Sequence, residues 1–121
     1  MLYALREGLR LVLEEGLENR FARHVFHERA LVSGIKAMGL DLFGDPDRKL
    51  PTVTCIHVPG GVDADSVRGM LLREFGIEIA SSFGPLHGKI WRIGLMGSGA
   101  TTANVERLVA ALGSALEERP T

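Results

Sequence analysis

An α+β domain is predicted: an α/β sandwich whose small mixed or antiparallel sheet carries helices on one face, preceded by long helices. Three observations predict it. Apolar residues recur at helical spacing through the first forty positions, with no strand pattern among them. Short β-branched or alternating runs then appear at 40–43, 52–58, 77–80 and 90–96. Two further helical stripes separate and close those runs, giving the order ααββαββα, for which helices stacked on a sheet are the simplest layered solution.

In the first helix, Leu2, Leu5, Leu9, Val12 and Leu13 form one apolar stripe, and Gly16 is placed to end or kink it. A second helix carries Phe21 and Val25 four apart, then Leu31, Ile35 and Met38, with Gly39 as its C-cap. Arg20, Arg23, Glu28, Arg29 and Lys36 are expected toward solvent. The first stripe has no obvious local partner, which suggests that something upstream has been removed. Leu40, Leu42 and Phe43 read as a short strand, and Gly44-Asp45-Pro46-Asp47 as a turn. Between Thr52 and Val58 the alternation places Val53, Cys55 and His57 on one face and Thr54, Ile56 and Val58 on the other. Pro59-Gly60-Gly61 stops that strand.

Asp63 is the expected N-cap of the third helix, with Val62 and Val67 as a hydrophobic staple. Val67, Met70, Leu71 and Phe75 form its buried stripe, and Gly76 ends it. Ile77 to Ala80 is a strand, 81–88 a loop, and Ile90 to Met96 a second full strand. After the turn Gly97-Ser98-Gly99, Thr101 or Thr102 caps a last helix whose stripe is Val105, Leu108, Val109, Leu112 and Leu116.

Composition narrows the function. The 121 residues are 45% hydrophobic and 24% charged, as in ordinary globular proteins, and suffice for one core. Fourteen basic against fifteen acidic side chains leave a net charge of -1, so nothing electrostatic points to nucleic acid or an anionic membrane. No apolar run approaches the roughly 20 residues that span a bilayer. Met1 to Arg10 carries Arg6 and Glu7 and does not read as a signal peptide. Cys55 is the single cysteine, which excludes an intrachain disulfide and fits a reducing, cytoplasmic setting.

Arg92 is the most informative side chain. Its neighbours Ile90, Trp91, Ile93 and Leu95 are apolar, and an unpaired buried guanidinium is costly. Two readings stay open on pattern alone: an internal ion pair with an Asp or Glu, or an anionic ligand gripped by the planar fork of donors. Other candidates are weaker. His24, His27 and Glu28 sit on adjacent helical positions, but without a fourth ligand they fit a solvated polar face better than a metal site. Cys55 and His57 share a strand face without an orienting third group, so Cys55 reads as a small core residue rather than a nucleophile. The segment from Gly94 to Thr101 lacks the lysine of a phosphate loop and reads as a tight turn. Trp91 and Phe83 read as packing residues.

The stretch from Gly76 to Gly97, GIEIASSFGPLHGKIWRIGLMG, resembles the carboxyl-terminal domain of alanine–glyoxylate and serine–pyruvate aminotransferases, members of the class V pyridoxal-phosphate-dependent enzymes of fold type I. Leu2-Tyr3-Ala4-Leu5-Arg6-Glu7 and Glu15-Gly16-Leu17-Glu18-Asn19 resemble that family's long interdomain helix. Leu50-Pro51-Thr52-Val53-Thr54 resembles its next strand, and Ala103-Asn104-Val105-Glu106-Arg107-Leu108 its closing helix. Ser82-Phe83-Gly84-Pro85-Leu86 with Gly88-Lys89-Ile90-Trp91-Arg92 is similar to the ureidoglycine–glyoxylate branch. That departure toward bulkier loop residues leaves the amino donor open.

The resemblance implies several things. Residues 1–39 would be an interdomain helical segment and 40–121 the small domain. Arg92 would bind the α-carboxylate of an amino-acid or keto-acid substrate. The parent would be a homodimer that uses pyridoxal 5'-phosphate, with this segment packed on its large domain. The family's cofactor lysine lies upstream, and Lys36, Lys49 and Lys89 do not stand in its setting. The chain alone is therefore expected neither to bind the cofactor nor to transaminate. A free-standing αβ-sandwich module for a small carboxylate or a protein partner is the competing expectation.

Overall fold

The computed structural model describes residues 1–117. Helices α1 (Leu2–Glu15) and α2 (Leu17–Ala37) lead, followed by strand β1 (Val53–His57), helix α3 (Ala64–Phe75), strand β2 (Ile90–Gly94) and helix α4 (Thr102–Glu117). Short 3-10 turns lie at Pro46–Arg48, Gly84–Leu86 and Gly97–Gly99. No described helix is long and apolar enough to cross a membrane.

The two strands pair antiparallel, with Thr54 opposite Ile93, Cys55 opposite Arg92 and Ile56 opposite Trp91. The expected strands at 40–43 and 77–80 shrink to single bridges, Leu42 to Ile56 on one edge and Ala80 to Arg92 on the other. Hydrogen bonding accounts for the loss of the first residue of each. The Leu40 amide donates to the Ile35 carbonyl at the end of α2, and the Ile77 amide donates to Leu71 at the end of α3. Backbone committed to closing a helix is unavailable to a ladder.

Alternation sorts the sheet faces as expected. Thr54, Ile56, Trp91 and Ile93 are buried in contact with the helices, while Val53, Cys55 and Arg92 are only half-buried on the opposite face. The core joins those strand residues to Leu31 and Ile35 of α2, Val67 and Leu71 of α3, and Leu108, Ala111 and Leu112 of α4. At Gly34 the helices α2 and α4 approach so closely that a Cβ would stand 2.8 Å from Val109 Cγ2. Cys55, expected as a small core residue, lies outside that cluster on the open face.

Helix ends follow local chemistry. Asp63 caps α3 by accepting from the Asp65 amide at 3.3 Å and the Ser66 hydroxyl at 2.7 Å, and these bonds lower its pKa, the Ser66 bond most. Thr101, rather than Thr102, caps α4 through the Asn104 amide at 3.2 Å. Gly39, with φ of 79°, takes the left-handed position that closes α2.

The second helix corrects the sequence reading. Its buried positions are His24, His27, Leu31 and Ile35, whereas Phe21 is 61% exposed. His24 and His27 therefore form part of the inward stripe and not a solvated face. Gly97 donates its amide to His24 Nε2 at 2.9 Å, so the neutral ring carries its proton on Nδ1, which donates to the Arg20 carbonyl at 2.8 Å. Arg23 is also turned inward: it donates to the Gly97 carbonyl at 2.7 Å and the Ala100 carbonyl at 3.0 Å, and it pairs with Glu15. Glu28 is half-buried and pairs with Lys49 at 2.7 Å. Replacing His24 with alanine is expected to cost about 1–3 kcal/mol, because the Gly97 amide loses its acceptor. A fall in the urea midpoint checks this; an unchanged midpoint would refute it.

Glu15 joins α1 to the rest. The Arg23 guanidinium beside it, helped by Arg20, lowers its carboxyl from the ordinary 4.5 to about 2. A depressed folded-state pKa contributes stability that is complete above the unfolded value and is lost as pH falls toward the folded one. Stability should therefore decline between pH 4.5 and about 2 as this link protonates. Acid titration of Glu15→Gln should show a shallower decline in that window.

Candidate functional site

Arg92 projects from the middle of β2 onto the open sheet face, across from Cys55. Its amide and carbonyl are both paired with Ala80 on the outer edge of the strand. The Ala80 amide donates to the Arg92 carbonyl at 2.9 Å, and the Arg92 amide donates to the Ala80 carbonyl at 2.8 Å. The side chain is fixed at its root, where Nε donates to the Ser81 carbonyl at 2.7 Å. The Phe83 ring lies against the guanidinium, 5.1 Å from Cζ to the ring centroid.

Among the described residues, no Asp or Glu makes an ion pair with Arg92. The internal ion pair left open by the sequence is not formed with any described residue. Arg92 lines an open groove of about 730 Å³, together with Arg68, Glu78, Ser82 and His87. Arg68 is neutralised in place: Nη1 pairs with Asp65 at 3.0 Å, and Nε donates to the Ile79 carbonyl at 3.0 Å. Among the described residues, Arg92 is thus the guanidinium of the groove without an acid partner. A guanidinium held by its Nε presents its two terminal N–H edges in one plane, which is the geometry that grips a carboxylate in two parallel hydrogen bonds.

The loop that carries Ser81 and Phe83 is stitched internally. The Ser81 hydroxyl lies 3.0 Å from His87 Nδ1, which is 3.1 Å from the Ser82 carbonyl. Pro85 stiffens the 3-10 turn Gly84–Leu86.

Of the other residues singled out in the sequence, Trp91 is fully buried and donates its indole N–H to the Ala64 carbonyl at 3.3 Å, a packing role. Phe83 differs: it is 79% exposed and packs on Arg92 and not in the core. His57 is exposed and lies edge-on to Phe43, at 5.4 Å between ring centroids. No group of three potential metal ligands occurs among the described residues. Arg68 and His87 were not found from the sequence, because no local pattern marks a residue from α3 and another from a loop as neighbours.

No family model matches the chain. Comparison with known proteins places it more closely. It is 66% identical over 116 residues to the (S)-ureidoglycine–glyoxylate transaminase of Bacillus subtilis, across 96% of this chain and 28% of that protein. It is 47% identical over 120 residues to the alanine–glyoxylate aminotransferase of Callithrix jacchus, across 98% of this chain and 29% of that one. The crystal structure of ureidoglycine–glyoxylate aminotransferase from Bacillus subtilis superposes with a TM-score of 0.94 over 96% of this chain and 30% of its own. The chain therefore matches glyoxylate-using aminotransferases in sequence and fold along nearly all its length, while spanning under a third of theirs.

Proposed function

We propose that this chain is the carboxyl-terminal small domain of a pyridoxal-phosphate-dependent aminotransferase, one that passes an amino group from an amino acid to glyoxylate or pyruvate. Arg92 is its substrate-carboxylate clamp. The observation that carries this reading is a guanidinium held by the Ser81 carbonyl at the lip of an open groove, with no acid partner among the described residues.

Residues 1–39 join this domain to a large domain, and 40–121 form the small domain itself. The exposed stripe of α1 supports that arrangement: Leu2, Leu5, Leu9 and Leu13 are all at least half exposed, an apolar surface that a second domain would cover. The parent acts as a homodimer in the cytoplasm.

The lysines present do not fit a cofactor-bonding site. Lys49 is tied to Glu28, Lys36 and Lys89 are exposed, and none lines the Arg92 groove. The cofactor is assigned to the remainder of the full-length protein, and the 121-residue chain alone is expected not to transaminate.

The test is a transamination assay of the full-length protein with glyoxylate and pyruvate as acceptors, on wild type, Arg92→Ala and Arg92→Lys. The (S)-ureidoglycine donor is the first to try, given the 66% identity to a transaminase of that name. A large rise in KM for Arg92→Ala is expected, and wild-type kinetics would refute the clamp. Arg92-dependent binding of a small carboxylate by the isolated chain would favour a free-standing binding module instead.

A further inference from the structure

We propose that Phe83 is a positioning residue for the Arg92 clamp: its ring holds the guanidinium plane in the orientation that receives the substrate carboxylate. The inference rests on the carboxylate-clamp reading above and extends it to the loop. Phe83 is 79% exposed, so its ring is not held by core packing and its one described aromatic contact is with Arg92. The ring lies 5.1 Å from Arg92 Cζ, within the range of a cation–π contact.

Arg92 has few other restraints. The Nε bond to the Ser81 carbonyl fixes the near end of the group and leaves rotation about that end open. A flat ring against the guanidinium removes that freedom without using any of its terminal N–H donors. A carboxylate partner would fix the plane too, but it would occupy the donors that the substrate needs. The loop makes the ring a stable platform, because Ser81, Ser82 and His87 are hydrogen-bonded together and Pro85 lies two residues after Phe83. Preorganisation of this kind lowers the entropy cost of binding and acts on ground state and transition state alike.

The signature is therefore a change in KM with kcat held. In the full-length protein, Phe83→Leu keeps apolar bulk and removes the ring; it should raise the amino-acid KM about two- to fivefold, the range of a solvent-exposed cation–π contact. Phe83→Tyr and Phe83→Trp should restore wild-type KM. In an Arg92→Ala background, Phe83→Leu should add nothing. Wild-type KM in Phe83→Leu, or an equal loss in the tyrosine and tryptophan variants, would overturn the ring's role. If Arg92→Ala itself leaves KM unchanged, the clamp and this inference fall together. If Arg92→Ala raises KM and Phe83→Leu does not, only the inference falls. A second readout is independent of activity: in the 121-residue chain the ring should shift the Arg92 side-chain N–H resonances upfield, and Phe83→Leu should abolish the shift. No upfield shift in the wild-type chain would also overturn the proposal.

Discussion

Arg92→Ala in the full-length protein is expected to lower kcat/KM for the amino-acid substrate by about 30- to 700-fold. The figure follows from the loss of one partner of a hydrogen-bonded charge pair, about 2–4 kcal/mol. Most of the loss should appear in KM, because the clamp grips a group that does not change during transfer. Arg92→Lys should recover only part of it. An ammonium keeps the charge but not the planar fork, and a methylene takes the place of the Nε that donates to the Ser81 carbonyl. The side chain is half-buried and outside the core, so the alanine variant should fold, and its melting temperature serves as the control. Equal kcat/KM for wild type and alanine would remove the assignment.

Trp91→Ala should give the largest loss of stability, about 3–5 kcal/mol, the usual cost of truncating a large buried aromatic. Trp91 is 0% exposed, stands opposite Ile56 across the strand pair, and reaches the Ala64 carbonyl with its indole N–H. Its removal leaves a cavity between the sheet and the start of α3. For a domain of this size the melting temperature should fall by roughly 10–20 °C. Trp91→Phe keeps much of the packing and loses the hydrogen bond, so it should recover more than half of the deficit. A drop of only a few degrees for the alanine variant would mean that the site collapses around the gap. Trp91 and Arg92 are adjacent in sequence and point to opposite faces, so one variant tests the core and the other the groove.

Local features of the fold were legible. The break at Gly16, the Asp63 cap, the end of α3 at Gly76 and the alternation of β1 all occur where the residue pattern places them. Each depends on residues within a turn or two, so periodicity and capping chemistry suffice. The phase of α2 was read less well. Phe21 and Val25 draw the eye as an apolar pair, yet the helix turns His24 and His27 inward. What decides this is the Gly97 amide and the Gly97 and Ala100 carbonyls, which need His24 and Arg23 as partners from more than seventy residues away. The flanking strands were overread for a similar reason: their β-branched pattern is genuine, but a helix terminus takes the first amide of each.

Taken alone, the order of residues placed the four helices and the two paired strands, sorted β1 into its two faces, and marked a lone arginine in an apolar strand as a residue with a purpose. Only the tertiary structure decided that no described acid meets Arg92, that an exposed phenylalanine lies against it, and that two helical histidines are core residues. The division has a physical cause. Backbone preference and burial periodicity are short-range, whereas the partner of a charged or polar side chain is whichever group the folded chain carries to it.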